Sequence, residues 1–159
     1  MKKALLIASL FALVMVVGVT QATADQQFIT ITATLAILSI DIDPSVWALG
    51  FVSAASETTT NFDVTNTGNV NEDLTIQTNP GAGLDWACGV GKNPDQFGME
   101  SSVDGGQTWT STCLPGITLG TNIAVSATVN SQLKFIAPLR STSTAQQVIR
   151  VWVTASLAV

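Results

Sequence analysis

Residues 61–77 read Asn61-Phe62-Asp63-Val64-Thr65-Asn66-Thr67-Gly68-Asn69-Val70-Asn71-Glu72-Asp73-Leu74-Thr75-Ile76-Gln77. Phe62 and Val64 alternate with polar residues, and past the Asn/Gly cluster Leu74 and Ile76 alternate with Asp73, Thr75 and Gln77. A period of two puts the apolar side chains on one face of a half-buried strand. Asn66, Thr67, Gly68 and Asn69 between the runs include residue types that tolerate positive φ, so the stretch predicts a hairpin-like pair of strands.

The same period recurs outward in both directions. Residues 28–42 form one long β-type run in which Ile29, Ile31, Ala33, Leu35 and Ile37 share one phase and Thr30, Thr32 and Thr34 the other. The phase then flips, with Leu38, Ile40 and Ile42 apolar against Ser39, Asp41 and Asp43, which requires a bulge, a kink or a change of sheet. Further strands are expected over residues 46–52, 84–88, 96–103, 122–129 and 146–157, with Leu133, Phe135 and Ala137 continuing the phase of Val129. Asn79-Pro80-Gly81-Ala82-Gly83 and residues 89–95 read as turns. After residue 25 no segment holds a helical period. About eight or nine short strands without a fixed repeat predict an all-β, immunoglobulin-like two-sheet sandwich rather than a propeller or solenoid. An outer-membrane barrel, with its aromatic girdles, fits poorly to a chain without tyrosine.

The first 24 residues carry a different signal. Lys2 and Lys3, the apolar run 4–19 and Ala22-Thr23-Ala24 are the three parts of a secretory signal peptide, expected to be helical. The division is therefore residues 1–24 as signal and residues 25–159 as one sandwich domain, beginning at Asp25 if cleaved. The predicted location is secreted: extracellular, at the cell surface or periplasmic. No later stretch is long and apolar enough to span a bilayer as a helix, so no membrane association is expected after cleavage. Residues 25–159 hold four cations against eleven carboxylates, a formal charge of −7 that argues against nucleic acid as a partner. Cys88 and Cys113 are the sole cysteines, and an even count in an exported chain predicts a disulfide.

Two resemblances follow from longer motifs. Ser102-Val103-Asp104-Gly105-Gly106-Gln107-Thr108-Trp109 resembles the Asp-box of sialidase-like propellers. That resemblance implies a structural hairpin in which the Asp104 carboxylate accepts turn N–H groups, Gly106 supplies positive φ and Trp109 packs beneath, with Ser102 opening the motif. One copy does not make a propeller. Residues 44–76, with Leu49-Gly50-Phe51-Val52, Glu57-Thr58-Thr59 and Phe62-Asp63-Val64-Thr65-Asn66-Thr67-Gly68-Asn69, look like the strand pair of immunoglobulin-like domains of the ASPM-SPD-2-Hydin sort. Their secreted prokaryotic relatives include WxL-type wall domains and camelysin-like fibre subunits. The resemblance implies adhesion, wall attachment or assembly, with no active site.

Chemistry-bearing residues are sparse. Without histidine there is no Ser-His-Asp or Cys-His arrangement, no usual zinc site is present, and no phosphate loop or dinucleotide fingerprint appears. The chain is read as non-enzymatic, a carboxylate-based hydrolase being the distant alternative. Asp41 with Asp43, and Glu72 with Asp73, are either solvated strand-end charges or oxygen ligands for calcium, and no other cofactor is expected. Trp152 falls on the face opposite Ile149, Val151 and Val153, either beneath a loop or on a binding surface. The leading reading is a secreted structural or assembly protein of the cell envelope or extracellular matrix. In it Ile29, Ile31, Leu35 and Ile37 either complete a neighbouring copy's sheet by strand exchange or form the first edge strand of their own domain. The alternative is a module whose partner is envelope or wall polysaccharide.

Overall fold

The computed structural model describes residues 32–79, 85–113 and 115–159. Leu35–Val159 forms one compact unit, to which everything below refers. Its strands are β1 (Ile40–Asp43), β2 (Glu57–Asn66), β3 (Glu72–Asn79), β4 (Ala87–Asn93), β5 (Gln96–Ser102), β6 (Thr110–Ser111), β7 (Ile117–Ile123), β8 (Thr128–Ile136) and β9 (Arg150–Leu157). The described residues contain no helix. One sheet runs β1-β2-β8-β5-β4, with β6 also on β5, and the other runs β7-β3-β9. The chain is thus an all-β two-sheet sandwich. The expected signal helix lies outside the described residues.

Alternation fixes the inner faces. Phe62 and Val64 of β2, Leu74 and Ile76 of β3 and Leu119 of β7 close one core cluster, and Phe97, Met99, Cys113, Phe135 and Ala137 close a second. Leu133 and Val151 pack against both. Phe135 stacks between Phe97 and Trp86, at centroid distances of 6.1 and 6.5 Å. The opposite face of the larger sheet is a polar ladder, in which Asn130 donates to Asp63, Gln132 to Asn61, and the Thr65 and Thr128 hydroxyls meet. Like-phased pairs across the β2–β8 register place those partners side by side.

Several expectations are corrected. β2 and β3 do not pair with each other: β2 joins β1 and β8 in one sheet, and β3 joins β7 and β9 in the other. Residues 67–71 are an arch between sheets rather than a hairpin. Buried Asn66 holds it, donating from Nδ2 to the carbonyls of Val70 (2.8 Å) and Ile123 (2.9 Å) and accepting the Gly68 N–H at Oδ1 (2.8 Å). No residue of the arch has positive φ. Gly68 is there for close approach, since a Cβ would lie 2.3 Å from the Ile37 carbonyl oxygen.

The expected strand 122–129 straddles a turn, where Asn122 and Ser126 take φ of 53° and 65° and the Ala127 N–H donates to Ala124. The alternation of Ile123, Val125, Ala127 and Val129 runs across it because the chain reverses between two sheets, and in β7 the same phase is held by Ile117, Leu119 and Ile123, so the strand begins well before residue 122. Residues 89–95 are mostly strand β4 rather than turn: Gly89 and Gly91 admit the Gln96 side chain and Ile136, which would sit 2.4 and 2.5 Å from their Cβ positions. Val103, in phase with Phe97 and Met99, is exposed because β5 has ended. Residues 46–52 form no strand, and β9 starts at Arg150 rather than at 146. In both stretches apolar residues mark which side chains are buried and not that a partner strand exists.

Candidate functional site

The two stretches that failed to become strands bound a cleft. None of residues 44–52 or 141–149 takes part in a backbone–backbone hydrogen bond among the described residues. Between them and the two sheets lies a space of about 1070 Å³, floored by Phe62, Met99, Leu133 and Phe135 of one sheet and by Ile76, Val151 and Val153 of the other. Trp47, Leu49 and Ile149 form its flanks and pack on the second core cluster. Small-molecule pockets run to about 1,000 Å³, so this one has room for a length of polypeptide.

The 141–147 wall is pinned by polar contacts. The Trp86 Nε1–H donates to Ser141 Oγ at 2.8 Å, and Asp95 accepts the Thr142 N–H at 2.7 Å and its hydroxyl at 3.0 Å. The Asp85 carboxylate accepts from Ser143 and Gln147. The Thr142 N–H in particular holds the Asp95 carboxyl below the usual carboxylate range. The rim is apolar and open, with Val46 77 %, Phe51 fully and Val148 63 % exposed.

β9 borders this space as an edge strand, pairing with β3 on one side and with no other strand among the described residues. Its inward residues Val151 and Val153 are half-buried, whereas their register partners Thr78 and Ile76 of central β3 are fully buried. Among the described residues the outer edge of β9 has no strand partner, and an edge of that kind beside an apolar floor is a template for one more strand.

At the other end of the sandwich the chain before β1 is tied to its own domain. Asn69 accepts the Ile37 N–H at Oδ1 (2.7 Å), donates from Nδ2 to the Leu35 carbonyl (2.9 Å) and donates its backbone N–H to the Ile37 carbonyl (3.1 Å). The Thr67 N–H donates to the Ser39 carbonyl (2.8 Å), and the Ser39 N–H donates to Glu72 Oε1 (2.8 Å). Both backbone groups of Ile37 and the carbonyl of Leu35 are therefore bonded in cis, which sets these two residues apart from the rest of the segment expected to exchange. Ile29 and Ile31 lie outside the described residues.

The remaining expected residues serve the scaffold. Cys88 and Cys113 are bonded, with 5.4 Å between Cα atoms. Asp104 accepts the Ser102 hydroxyl (2.6 Å), the N–H groups of Gln107 (3.0 Å) and Thr108 (2.9 Å), and the Thr108 hydroxyl. These donors, Ser102 first, hold its carboxyl far below the usual range. Gly105 and Gly106 have φ of 74° and 86°. Trp109 is half-buried with the Lys134 ammonium 4.5 Å from its ring centre, while Lys134 also pairs with Glu100. Asp41 and Asp43 are exposed. Glu72 is fully buried, correcting the expectation of a solvated strand-end charge, because it faces the arch and receives Ser39. Among the described residues no three His, Cys, Asp or Glu side chains are grouped to hold a metal. Trp152 is 53 % exposed on the outer face, opposite Gln77 across the β3–β9 pair.

Sequence reasoning missed the cleft. Its trace is the stretch Val46-Trp47-Ala48-Leu49-Gly50-Phe51-Val52, apolar in both phases, where a strand with one solvated face would be apolar in one. No helix among the described residues is long and apolar enough to cross a membrane. No family model, curated protein or solved structure matches the chain.

Proposed function

We propose that this protein is an exported, non-enzymatic structural subunit of the cell envelope or extracellular matrix that assembles by strand addition, an amino-terminal strand of one copy lying along β9 of the next. The observation that carries the reading is that β9 is an edge strand among the described residues, beside the apolar cleft. The named occupant is residues 28–34 of a second copy, Phe-Ile-Thr-Ile-Thr-Ala-Thr. This segment is uncharged, as an apolar floor demands, and its Ile29, Ile31 and Ala33 share one face. Seven residues in strand conformation span about 23 Å, close to the length of β9. Ile29 and Ile31 would then cover Val151 and Val153, while Thr30 and Thr32 would lie beside Trp152 on the outer face. The disulfide supports an oxidising compartment, and the amino-terminal pattern supports export and cleavage before Asp25.

Sedimentation of the chain 25–159 against the chain 35–159 tests this. High-mass species from the first and a monomer from the second are the expected outcome. A chain 25–159 that stays monomeric at high concentration refutes assembly. If it is instead retained on wall polysaccharide, the protein is a binding module.

A further inference from the structure

The hydrogen bonds that hold residues 35–39 have a consequence for how two copies meet. The register places the arch at one end of the sandwich, where Ile40 faces Asn66 and Glu72 faces Leu157. The cleft lies toward the other end, where Glu57 faces Ile136 and Asn79 faces Arg150, because segment 44–52 leads into β2 and segment 141–149 into β9. The chain is therefore tied down at the end remote from the cleft, and its exchangeable part stops at Thr34. A donor entering a neighbour's cleft thus joins opposite ends of two molecules. Such a contact is heterologous, and propagates as an open filament where its rotation does not close a ring.

Residues 35–38 have unexplained apolar exposure. Leu35 is 79 %, Ile37 51 % and Leu38 44 % exposed, although the backbone around them is held by Asn69 at Leu35 and Ile37 and by Thr67 at Ser39. Their counterpart at the far end is the cleft rim, where Val46, Phe51 and Val148 are exposed. With residues 28–34 antiparallel to β9 inside the acceptor, Leu35 is the first residue to emerge at the Arg150 end and is brought to that rim.

We propose that the tied residues Leu35, Ile37 and Leu38 form an apolar collar that seats on the Val46, Phe51 and Val148 rim of the next copy, a second subunit contact that fixes the spacing and orientation set by the donated strand. This contact rests on the strand-addition reading and extends it. The Asn69 side chain is its positioning residue, since it holds Leu35 and Ile37 at a fixed height on the donor without touching the acceptor.

The test uses the chain 25–159 with Leu35→Glu, with Phe51→Lys and with both. These side chains are exposed in the single subunit, so melting of dilute, unassembled protein should not change. Each single variant should raise the concentration needed for assembly roughly tenfold or more, the scale of losing one buried aliphatic or aromatic contact. The pair should recover part of the loss through the new Glu–Lys contact. A synthetic peptide of residues 28–34 should still bind the Leu35→Glu chain, because its cleft is intact. Assembly of both single variants at the wild-type concentration overturns the collar while leaving strand addition standing. Failure of the peptide to bind the wild-type chain or the Leu35→Glu chain overturns both.

Discussion

Replacing Asn66 by alanine should do more damage than any other single polar substitution in the arch. Asn66 is fully buried and serves three backbone groups, the carbonyls of Val70 and Ile123 and the N–H of Gly68. Each buried backbone group left without a partner costs about 1–3 kcal/mol. Val70 and Gly68 are half-exposed and regain water in part, so the loss falls near the bottom of that summed range, at about 2–4 kcal/mol. For a domain of this size that corresponds to a fall in melting temperature of roughly 8–16 °C. Calorimetry of the chain 35–159 under oxidising conditions reads it without interference from assembly. Asn66→Asp sharpens the comparison: one oxygen still accepts from Gly68, but the other faces two carbonyls, so the loss should be at least as large at neutral pH. Thr67→Ala, an exposed neighbour, should shift melting by no more than a degree or two. A melting temperature for Asn66→Ala within two degrees of wild type would refute the account of the arch.

Opening the Cys88–Cys113 bridge, whose ends are 25 positions apart, should lower stability by about 3–4 kcal/mol in the chain-entropy picture, read as a melting shift on adding reductant; unchanged melting contradicts it. Asp104, Asp95 and Glu57 all have carboxyl groups held below their usual range, Asp104 by Ser102, Asp95 by Thr142 and Glu57 by Lys92. The stability they contribute is present above the unfolded carboxylate values near 4 and is lost as pH falls through the lower folded values. Melting temperature should thus decline on acidification below about pH 4, and Asp104→Asn should flatten part of that decline; a steeper fall for the variant would count against it. Gly91→Ala and Gly105→Ala both place a side chain at positive φ, but only Gly91 would meet Ile136, at 2.5 Å, while Gly105 faces open space. The first should cost at least about 1 kcal/mol more than the second, and equal melting temperatures would remove the steric argument.

Much of the fold was legible because alternation is a local property that burial enforces. Phe62, Val64, Leu74, Ile76, Phe97, Met99 and Phe135 were read on inner faces from their phase alone, and all are buried. Pairing was not legible. Asn66 to Glu72 has the composition of a hairpin, yet whether two successive strands share a sheet depends on what lies on their other sides, and here β8 and β9 compete for those places. Residues 124–127 turn without glycine or proline, by left-handed Ser126 after Asn122, so no punctuation marked the end of β7. The cleft was hidden for a related reason. Trp47, Leu49 and Ile149 are part-buried on the cleft side of their segments as residues of a half-buried strand would be, and the missing backbone partners distinguish a cleft wall from a strand.

The acceptor cleft is tested most directly by adding a synthetic peptide of residues 28–34 to the chain 35–159 and following β9 amide exchange together with tryptophan emission. All residues of both core clusters fall between Ile40 and Ala155, so the shortened chain retains its core. One peptide should bind per chain, slow exchange along β9 while leaving β7 unchanged, and alter the emission of Trp47, Trp86 and Trp152, which line or border the site. A folded chain whose β9 amides exchange at the same rate with and without millimolar peptide would contradict the claim that this edge is built to receive a strand.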